Sequence, residues 1–324
     1  MIITAYLLSF LCLVFIGSLF IHLKPPFSFF LAFTLQLAAV VLSAFLAVMG
    51  LVGAGLGWLY QAPIAVAAGL LGALVCVIYI ALVIVSQPAF DLTFGDDWKT
   101  RIVPSIENRM LKKRWSLGWT RTGELRWERD KVFWTFPDTG RELLCDMWQP
   151  PEGGYRSGLG LIYLHGGAWY LGDKDFGTRP MFRHLAAQGH VIMDATYRLC
   201  PEVDIYGMIA DVKRALAWMK ANAEKYRVNP ERVVLMGASA GGHLALLAAY
   251  APHHPDLTPP EVRGSDLTAR AVVSYYGPTD MRACYHHLDQ KRVLDLPKVE
   301  IGVTGSEQTK KNMTDAGRLD MLLG

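Results

Sequence analysis

Charged residues are almost absent from the first 90 positions of the chain. Of the 32 Lys and Arg and the 29 Asp and Glu residues in this 324-residue sequence, only Lys24 precedes Asp91. A water-facing protein surface needs charged side chains of both signs, so residues 1–90 do not form a soluble domain. The later charges are close to balanced, whereas binding to a nucleic acid needs a marked excess of Lys and Arg. The sequence therefore predicts an apolar membrane segment followed by an ordinary globular domain, and no nucleic-acid partner.

Three apolar stretches in this segment are long enough to cross a bilayer. A transmembrane helix needs about 20 apolar residues to span a hydrocarbon core of about 30 Å. We predict an all-α anchor with helices over residues 2–23, 27–50 and 63–85. The glycines at positions 50, 53, 55 and 57 indicate either a break in the second helix or a close helix contact. A cleaved signal peptide is disfavoured because the first stretch lacks a basic start and further apolar spans follow it.

The positions of the basic residues predict the orientation of this anchor. With three spans, Lys24 and the region after the third span lie on the same side, and that region holds Lys99, Arg101, Arg109, Lys112, Lys113 and Arg114. The positive-inside rule makes this side cytoplasmic. A second stretch that crosses twice would invert the orientation. An integral membrane protein with a cytoplasmic globular domain is the resulting expectation. The absence of Asp, Glu and Arg from the membrane segment disfavours a transporter.

Residues 91–129 mix basic side chains with four tryptophans, at positions 98, 115, 119 and 127. Aromatic and cationic residues together favour the headgroup layer of a membrane. One interpretation is an interfacial helix over residues 104–115 that holds the next domain against the membrane. The other is a solvated linker or cap that packs partly on that domain. The sequence leaves both open.

From about residue 130 the pattern changes to strands that alternate with helices. Residues 131–136 and 142–148 flank Pro137-Asp138-Thr139-Gly140 and predict a hairpin. Apolar strands are predicted at 158–164, 190–197, 232–236 and 271–276, with helices near 179–188, 209–219 and 243–250 between them. Strand–helix alternation is typical of an α/β domain, with a mostly parallel sheet that carries helices on both faces. We assign residues 130–324 to this domain.

The pentapeptide Gly237-Ala238-Ser239-Ala240-Gly241 joins a predicted strand to a predicted helix. A G-x-S-x-G turn in this context presents its serine above the sheet edge, and small residues on either side allow the close backbone approach. The N–H of Ala240, at the start of the helix, is placed to bind a developing oxyanion.

A second motif, His165-Gly166-Gly167-Ala168, follows an apolar strand upstream of the first. Consecutive glycines let backbone N–H groups face a substrate carbonyl without obstruction by side chains. The two motifs in this order predict a serine nucleophile with a backbone oxyanion hole.

The segments HGGAW at 165–169, Tyr197-Arg198-Leu199 and GASAGGHLALLAA at 237–249 resemble serine carboxylesterases of the α/β-hydrolase superfamily. The most similar groups are those related to hormone-sensitive lipase and to the bifunctional feruloyl and acetylxylan esterases. The resemblance covers about residues 132–280. It implies Ser239 as nucleophile, Gly166, Gly167 and Ala240 as oxyanion donors, and ester hydrolysis through an acyl-enzyme without cofactor or metal. Ala238 stands where many lipase-like members have Asp, which favours the feruloyl-esterase side.

The acid and the histidine that such a serine needs are not found in the sequence. We expect His243 to be a packing residue, His253 and His254 to be solvated, and His286 and His287 to belong to a connector. Asp280 is expected to cap a helix, and Asp194 and Asp211 to be core or helix-surface carboxylates. The simplest expectation is a chain that lacks the final strands of the domain. A catalytically inactive binding or scaffold protein is the alternative.

Trp169 and Tyr170 follow the glycine motif and predict an apolar or aromatic substrate pocket. Attachment to a membrane favours a lipid-like ester substrate, with membrane lipids as further partners. Nothing in the sequence indicates the oligomeric state.

Overall fold

The computed structural model describes residues 1–20, 27–84, 89–102, 104–107 and 124–284. The chain divides into two compact units, and the described residues up to 107 belong to the first and residues 124–284 to the second.

The first unit is helical in its described parts, as its uninterrupted apolar sequence dictates. Its α-helices are α1 (Ile2–Gly17), α2 (Phe27–Val41), α3 (Ser43–Leu59), α4 (Pro63–Ile84), α5 (Ala89–Phe94) and α6 (Pro104–Glu107), with 3₁₀ turns at Ser18–Phe20 and Trp98–Arg101. In residues 1–20 and 27–84, two helices, Ile2–Phe20 and Pro63–Val83, are long and apolar enough to cross a membrane. A bent pair, Thr34–Val41 with Ser43–Leu59, brings the number to three if it counts as one span.

The second predicted helix, residues 27–50, differs from the structure. The chain bends by 83° between Val41 and Ser43, and α3 then continues through all four glycines to Leu59. The glycines do not end the helix, and three of them, Gly50, Gly53 and Gly57, lie at close contacts instead. A Cβ on Gly53 would lie 2.5 Å from Ser9 Oγ, and one on Gly69 would lie 2.4 Å from the carbonyl oxygen of Gly50.

Residues 91–129 are described only in part. Helix α6 covers four residues of the interfacial helix predicted over 104–115, and positions 108–115 of that helix lie outside the described residues. Trp98 donates from Nε1 to Asp91 Oδ1 at 2.7 Å.

The second unit is built on a mixed six-stranded sheet. Its strands are β1 (Arg126–Thr135), β2 (Glu142–Gln149), β3 (Gly160–Leu164), β4 (Val191–Ala195), β5 (Val233–Ala238) and β6 (Ala271–Tyr275). Its α-helices are α7 (Arg179–Ala187), α8 (Ile205–Ala221), α9 (Ala223–Tyr226) and α10 (Ala240–Tyr250), with 3₁₀ turns at Pro230–Arg232, Pro255–Leu257 and Pro260–Val262.

The strand order is β1-β2-β4-β3-β5-β6. Strands β4, β3, β5 and β6 are parallel, and the predicted hairpin β1–β2 joins them antiparallel through β4. Strands β3, β4 and β5 are buried along their whole length, which explains their continuous apolar sequences, since both faces of a parallel sheet are covered. The α/β class is confirmed.

Helices cover both faces of this sheet. Phe182 and Ala186 of α7 pack on one face with Trp148, Tyr163 and Ile192. The inner sides of α8 and α10 pack on the other face in a larger core. Among the described strands, β6 is half-buried and pairs only with β5. This arrangement brings the carboxyl ends of β3 and β5 side by side.

Candidate active site

Ser239 occupies the turn between β5 and α10 in a backbone conformation that an L-residue rarely adopts. Its φ is 53° and its ψ is −121°, and such a conformation persists only where the surroundings enforce it. The Ser239 N–H donates to the carbonyl oxygen of Tyr275 at 2.8 Å, and its carbonyl oxygen accepts from the N–H of His243 at 3.0 Å. The side chain stays half-exposed, so the turn holds the hydroxyl at the sheet edge.

Two glycines enclose this turn because no side chain fits beside it. A Cβ on Gly237 would lie 2.3 Å from the carbonyl oxygen of Gly241. A Cβ on Gly241 would lie 2.1 Å from the carbonyl oxygen of Leu164 and 2.4 Å from that of His165. Because these neighbours are backbone atoms, a Cβ at either position would force the chain to move. The spacing of the pentapeptide therefore follows from steric contact.

The segment from His165 to Asp175, which we call the oxyanion loop, begins directly beside Ser239. A Cβ on Gly166 would lie 3.3 Å from Ser239 Cβ and 3.0 Å from the carbonyl oxygen of Ala238. Within residues 124–284, the N–H groups of Gly166, Gly167 and Ala240 donate to no acceptor. The structure thus brings the predicted nucleophile together with Gly166 of the other motif. Unpartnered N–H groups near a serine hydroxyl are suited to bind a carbonyl oxygen that gains negative charge.

The oxyanion loop folds back on itself. The carbonyl oxygen of Gly167 accepts from the N–H groups of Tyr170 at 3.1 Å and Leu171 at 2.9 Å. Gly167, Ala168 and Trp169 have φ values of 133°, 51° and 64°. A Cβ on Gly167 would lie 1.9 Å from the carbonyl oxygen of Leu171, so only glycine fits at this position.

His165 supports the loop from below. It is buried, and its Nδ1–H donates to the carbonyl oxygen of Gly166 at 2.7 Å. Its ring stacks on Tyr197 with 4.4 Å between centroids, and the Tyr197 hydroxyl donates to the His165 carbonyl oxygen at 2.8 Å. Burial lowers the pKa of His165, which keeps the imidazole neutral. Its role is to support the loop.

The two predicted pocket residues, Trp169 and Tyr170, differ in burial. Trp169 is buried in the core, and its ring meets that of His243 edge to face at 5.6 Å. Tyr170 is half-buried and packs against the same core. Their part in a substrate pocket stays a prediction.

The described histidines have structural surroundings rather than a hydrogen bond to Ser239. Within residues 124–284 no hydrogen bond joins Ser239 Oγ to an imidazole. Burial lowers the pKa of His243 to about 4, which makes it a weak base at neutral pH and fits the packing role expected for it. His253 and His254 are exposed, as expected. His286 and His287 lie outside the described residues.

The acidic residues near the motifs have structural partners. Asp280 accepts at Oδ1 from the N–H of Ala283 at 2.8 Å, which is the expected helix cap. Asp211 is fully buried and accepts from Arg198 Nε at 2.8 Å, Arg198 Nη2 at 2.9 Å and Arg214 Nη1 at 2.8 Å. This network fixes the segment after β4, which carries Tyr197. Asp194 is buried on β4.

Sequence reasoning missed two residues that hold the far end of the oxyanion loop, Asp146 and Lys174. Lys174 Nζ lies 2.9 Å from Asp146 Oδ1. The available signal was a buried charge: an Asp inside the apolar strand 142–148 needs a partner. The described residues contain no group of three or more His, Cys, Asp or Glu side chains that could hold a metal ion.

Comparison with known proteins agrees with this geometry. The sequence pattern of the BD-FAE family matches residues 145–315, more than half of the chain. The probable carboxylic ester hydrolase LipM of Mycobacterium tuberculosis is 35% identical over 45% of this chain and 34% of its own length. Esterase LipQ of the same organism is 35% identical over 44% of this chain and 34% of its own length.

The chain thus spans about a third of the length of these curated relatives. Among solved structures, the apo form of Thermogutta terrifontis esterase 2 matches with 27% identity over 48% of this chain and 56% of that one, at a TM-score of 0.40. The matched range includes Ser239, Gly166 and Gly167, and the match supports the α/β-hydrolase assignment made from the motifs. The chain belongs to the BD-FAE family.

Proposed function

We propose that the chain is a membrane-anchored serine hydrolase that cleaves carboxylic esters. The observation that carries this proposal is the strained turn at Ser239, with the unpartnered N–H groups of Gly166, Gly167 and Ala240 close by. A half-exposed hydroxyl beside backbone donors is the arrangement that acyl transfer requires. The esterase relatives support the same reaction class.

In this mechanism Ser239 Oγ attacks the ester carbonyl carbon and loses its proton to a base. The carbonyl oxygen becomes an oxyanion, which the three N–H groups stabilise. The C–O bond to the alcohol then breaks, and the alcohol leaves with a proton as the acyl-enzyme forms. Water repeats the attack and releases the carboxylic acid. In this proposal Ser239 is the nucleophile and Gly166, Gly167 and Ala240 are the donors, and no base is assigned among the described residues.

The test is covalent labelling of the full chain with a fluorophosphonate probe, followed by peptide mapping. We expect the adduct on Ser239 and its complete loss in Ser239→Ala. Ser157→Ala is the matched control, because Ser157 Oγ lies 2.8 Å from His190 Nδ1 in a serine–histidine contact away from the motifs. Labelling that survives Ser239→Ala contradicts the proposal. Turnover of p-nitrophenyl esters of increasing acyl length then tests the preference for apolar or lipid-like esters.

The membrane part of the proposal rests on the two helices long enough to span a bilayer and on the bent pair, Thr34–Val41 with Ser43–Leu59, as the third span. We infer that the second unit lies on the cytoplasmic side, from the positions of the basic residues. Protease treatment of sealed inside-out vesicles tests this orientation. We expect the second unit to be digested there and protected in right-side-out vesicles. The opposite pattern contradicts the orientation but leaves the ester chemistry untouched.

A second candidate is a binding protein that retains the turn without catalysis. It is favoured by one observation, the lack of a hydrogen bond from Ser239 Oγ to any described histidine. Its signature is saturable binding of an ester by both the wild-type chain and Ser239→Ala, with no fluorophosphonate adduct in either. An adduct on Ser239 rejects this candidate.

A further inference from the structure

Two buried carboxyl groups lie side by side beneath the far end of the oxyanion loop. Asp146 of β2 and Asp194 of β4 are directly paired across the two antiparallel strands, and both side chains are essentially fully buried. Paired residues on neighbouring strands have their Cβ atoms only about 5 Å apart. Two like charges at this distance in a buried site are unfavourable unless each has its own partner.

Asp146 has a full set of partners. Its Oδ1 accepts from the N–H of Asp130 at 3.0 Å and lies 2.9 Å from Lys174 Nζ, while its Oδ2 accepts from Trp127 Nε1 at 3.1 Å. The same ammonium lies 2.6 Å from Asp130 Oδ1. The positive charge of Lys174 is therefore shared between Asp130 and Asp146.

Asp194 has one partner. Its Oδ2 accepts from the N–H of Asp175 at 2.6 Å, and its Oδ1 has no partner. Within residues 124–284 no ion pair joins a cation to Asp194. Its other charged or titratable neighbours are Cys145 and Asp146 on β2, Tyr163 on β3, and Lys174 and Asp175 on the oxyanion loop. Arg179 at the start of α7 pairs with Asp175.

These contacts reach the glycine donors through the loop. Lys174 and Asp175 are fixed to the sheet, and Asp175 adopts a φ of 66°. Three residues before Asp175, Gly172 lies against the start of the loop: a Cβ there would be 2.8 Å from the Gly166 carbonyl oxygen and 2.7 Å from His165 Nδ1. Movement at Asp175 would therefore release Gly172 from Gly166. One end of the oxyanion loop is held by its own turn at Gly167. The other end is held by the carboxyl groups of Asp146 and Asp194.

We propose that Asp146 and Asp194 are positioning residues for the oxyanion loop, and that Asp194 holds the loop closed in its neutral form. This assignment rests on the proposed function in one respect, namely that the glycine N–H groups bind the oxyanion of the ester reaction. Burial, together with the nearby Asp146 and Asp175 carboxylates, raises the pKa of Asp194 to about 7. When the loop opens, water reaches the carboxyl group and its pKa returns toward the ordinary value of about 3.9. The closed loop thus binds the proton more tightly than the open loop, and closure weakens as pH rises from about 4 to about 7.

The experiment is hydrogen–deuterium exchange of the full chain in detergent at pH 5 to 9, with peptides covering residues 166–176. After correction for the intrinsic exchange rate, we expect the opening constant to rise by up to tenfold per pH unit and to level off above about pH 7. Asp194→Asn keeps an oxygen for the Asp175 N–H without a charge, so its opening constant should not vary with pH. Glu202→Gln, which removes one partner of the exposed Arg141–Glu202 pair, should keep the wild-type slope.

Asp146→Asn gives a second, independent readout. Loss of this carboxylate removes a partner of Lys174, so the loop should open at least tenfold more at every pH. It also removes the like charge beside Asp194, so the levelling-off should move to lower pH. A flat wild-type profile overturns the proposal, as does a wild-type slope in Asp194→Asn, which would assign the effect to another group such as His165. If Asp194→Asn fails to fold, Asp146→Asn separates Asp194 from His165, and a levelling-off that does not move in this variant overturns the proposal.

Exchange does not depend on ester turnover, so the two proposals fail separately. Ser239→Ala should show the wild-type exchange profile. Absence of a fluorophosphonate adduct with an intact pH slope rejects the esterase and keeps the loop assignment. An adduct on Ser239 without the pH slope keeps the esterase and rejects the loop assignment.

Discussion

Backbone contacts, rather than side-chain bonds, fix the residues around Ser239. Gly241→Ala tests this directly, since the new methyl group would lie 2.1 Å from the carbonyl oxygen of Leu164. We expect a loss of about 3 kcal/mol in the free energy of unfolding, at the upper end of ordinary overpacking effects. Gly264→Ala is the control, because a Cβ there meets nothing within 4 Å, and it should change stability by about 0.5 kcal/mol or less. Equal urea midpoints for the two variants would contradict the steric argument.

The Asp211 network makes a different prediction for a single residue. Asp211→Asn removes the negative charge that pairs with the buried Arg214 and the largely buried Arg198. Removing one partner of a buried ion pair costs about 3–5 kcal/mol, whereas Glu202→Gln breaks only the exposed Arg141–Glu202 pair and should cost about 1 kcal/mol or less. Thermal unfolding of the two variants checks this order. A smaller effect for Asp211→Asn would mean that the network is solvated.

For single residues, the sequence predicts a role where the residues lie close together in the chain. It does not predict a role for residues that meet only across the sheet. Gly237, Ser239 and Gly241 are recognisable because one turn contains all three. Asp146, Lys174 and Asp194 are far apart in the chain and meet only through the register of β2 with β4. No periodicity of the sequence encodes that register.

Among the elements, the helices of the first unit depend on small residues at their contacts. Gly53 and Gly55 lie on the same helix, but a Cβ on Gly53 would be 2.5 Å from Ser9 Oγ, whereas one on Gly55 would meet nothing within 4 Å. We expect Gly53→Leu to separate α1 from α3 and Gly55→Leu to be tolerated. The aggregation temperature of the detergent-solubilised chain checks this, with a decrease expected for Gly53→Leu alone. A similar decrease for both variants would mean that leucine disrupts the helix itself.

Element boundaries were predictable where the sequence marks them chemically. Pro137-Asp138-Thr139-Gly140 correctly placed the turn between β1 and β2. The bend at Leu42 has no such mark, because neither proline nor glycine stands there and the apolar sequence continues on both sides. The glycines of α3 suggested a break downstream, but they accommodate neighbouring helices.

The stability of the second unit as a whole varies with pH in the alkaline range because of Lys213. This lysine of α8 is fully buried and donates to the carbonyl oxygen of Ala251 at 2.6 Å and to Thr258 Oγ1 at 2.8 Å. Burial lowers its pKa to about 8 from an ordinary value of 10.5. The unfolded chain therefore binds this proton more tightly, so the contribution of Lys213 to stability increases as pH rises from about 8 toward 10.5.

Urea unfolding at pH 7.5, 8.5 and 9.5 measures this contribution. We expect Lys213→Met to show a smaller rise in stability with pH than the wild-type chain does. Lys225→Met, at an exposed position of α9, should keep the wild-type dependence. Identical slopes for all three proteins would show that Lys213 does not titrate in this range.

The division of the molecule into an apolar and a polar unit was the most predictable feature. Charged side chains are frequent only in segments whose surface faces water. In the described residues, a helical unit precedes an α/β unit. The base for Ser239 was not predictable. A histidine acts through its distance from the serine, and neither composition nor spacing records that distance.

The glycines of the candidate site give it an unusual mutational signature. Its donors are main-chain groups, and the atoms that would collide with a new Cβ at Gly166, Gly167 or Gly241 are mostly main-chain atoms as well. Any substitution there adds a Cβ and should be damaging, so alanine, serine and aspartate should all reduce labelling whatever their polarity. A library of single substitutions, scored for fluorophosphonate labelling, should therefore show size-limited positions surrounding the one position, Ser239, where chemical identity decides.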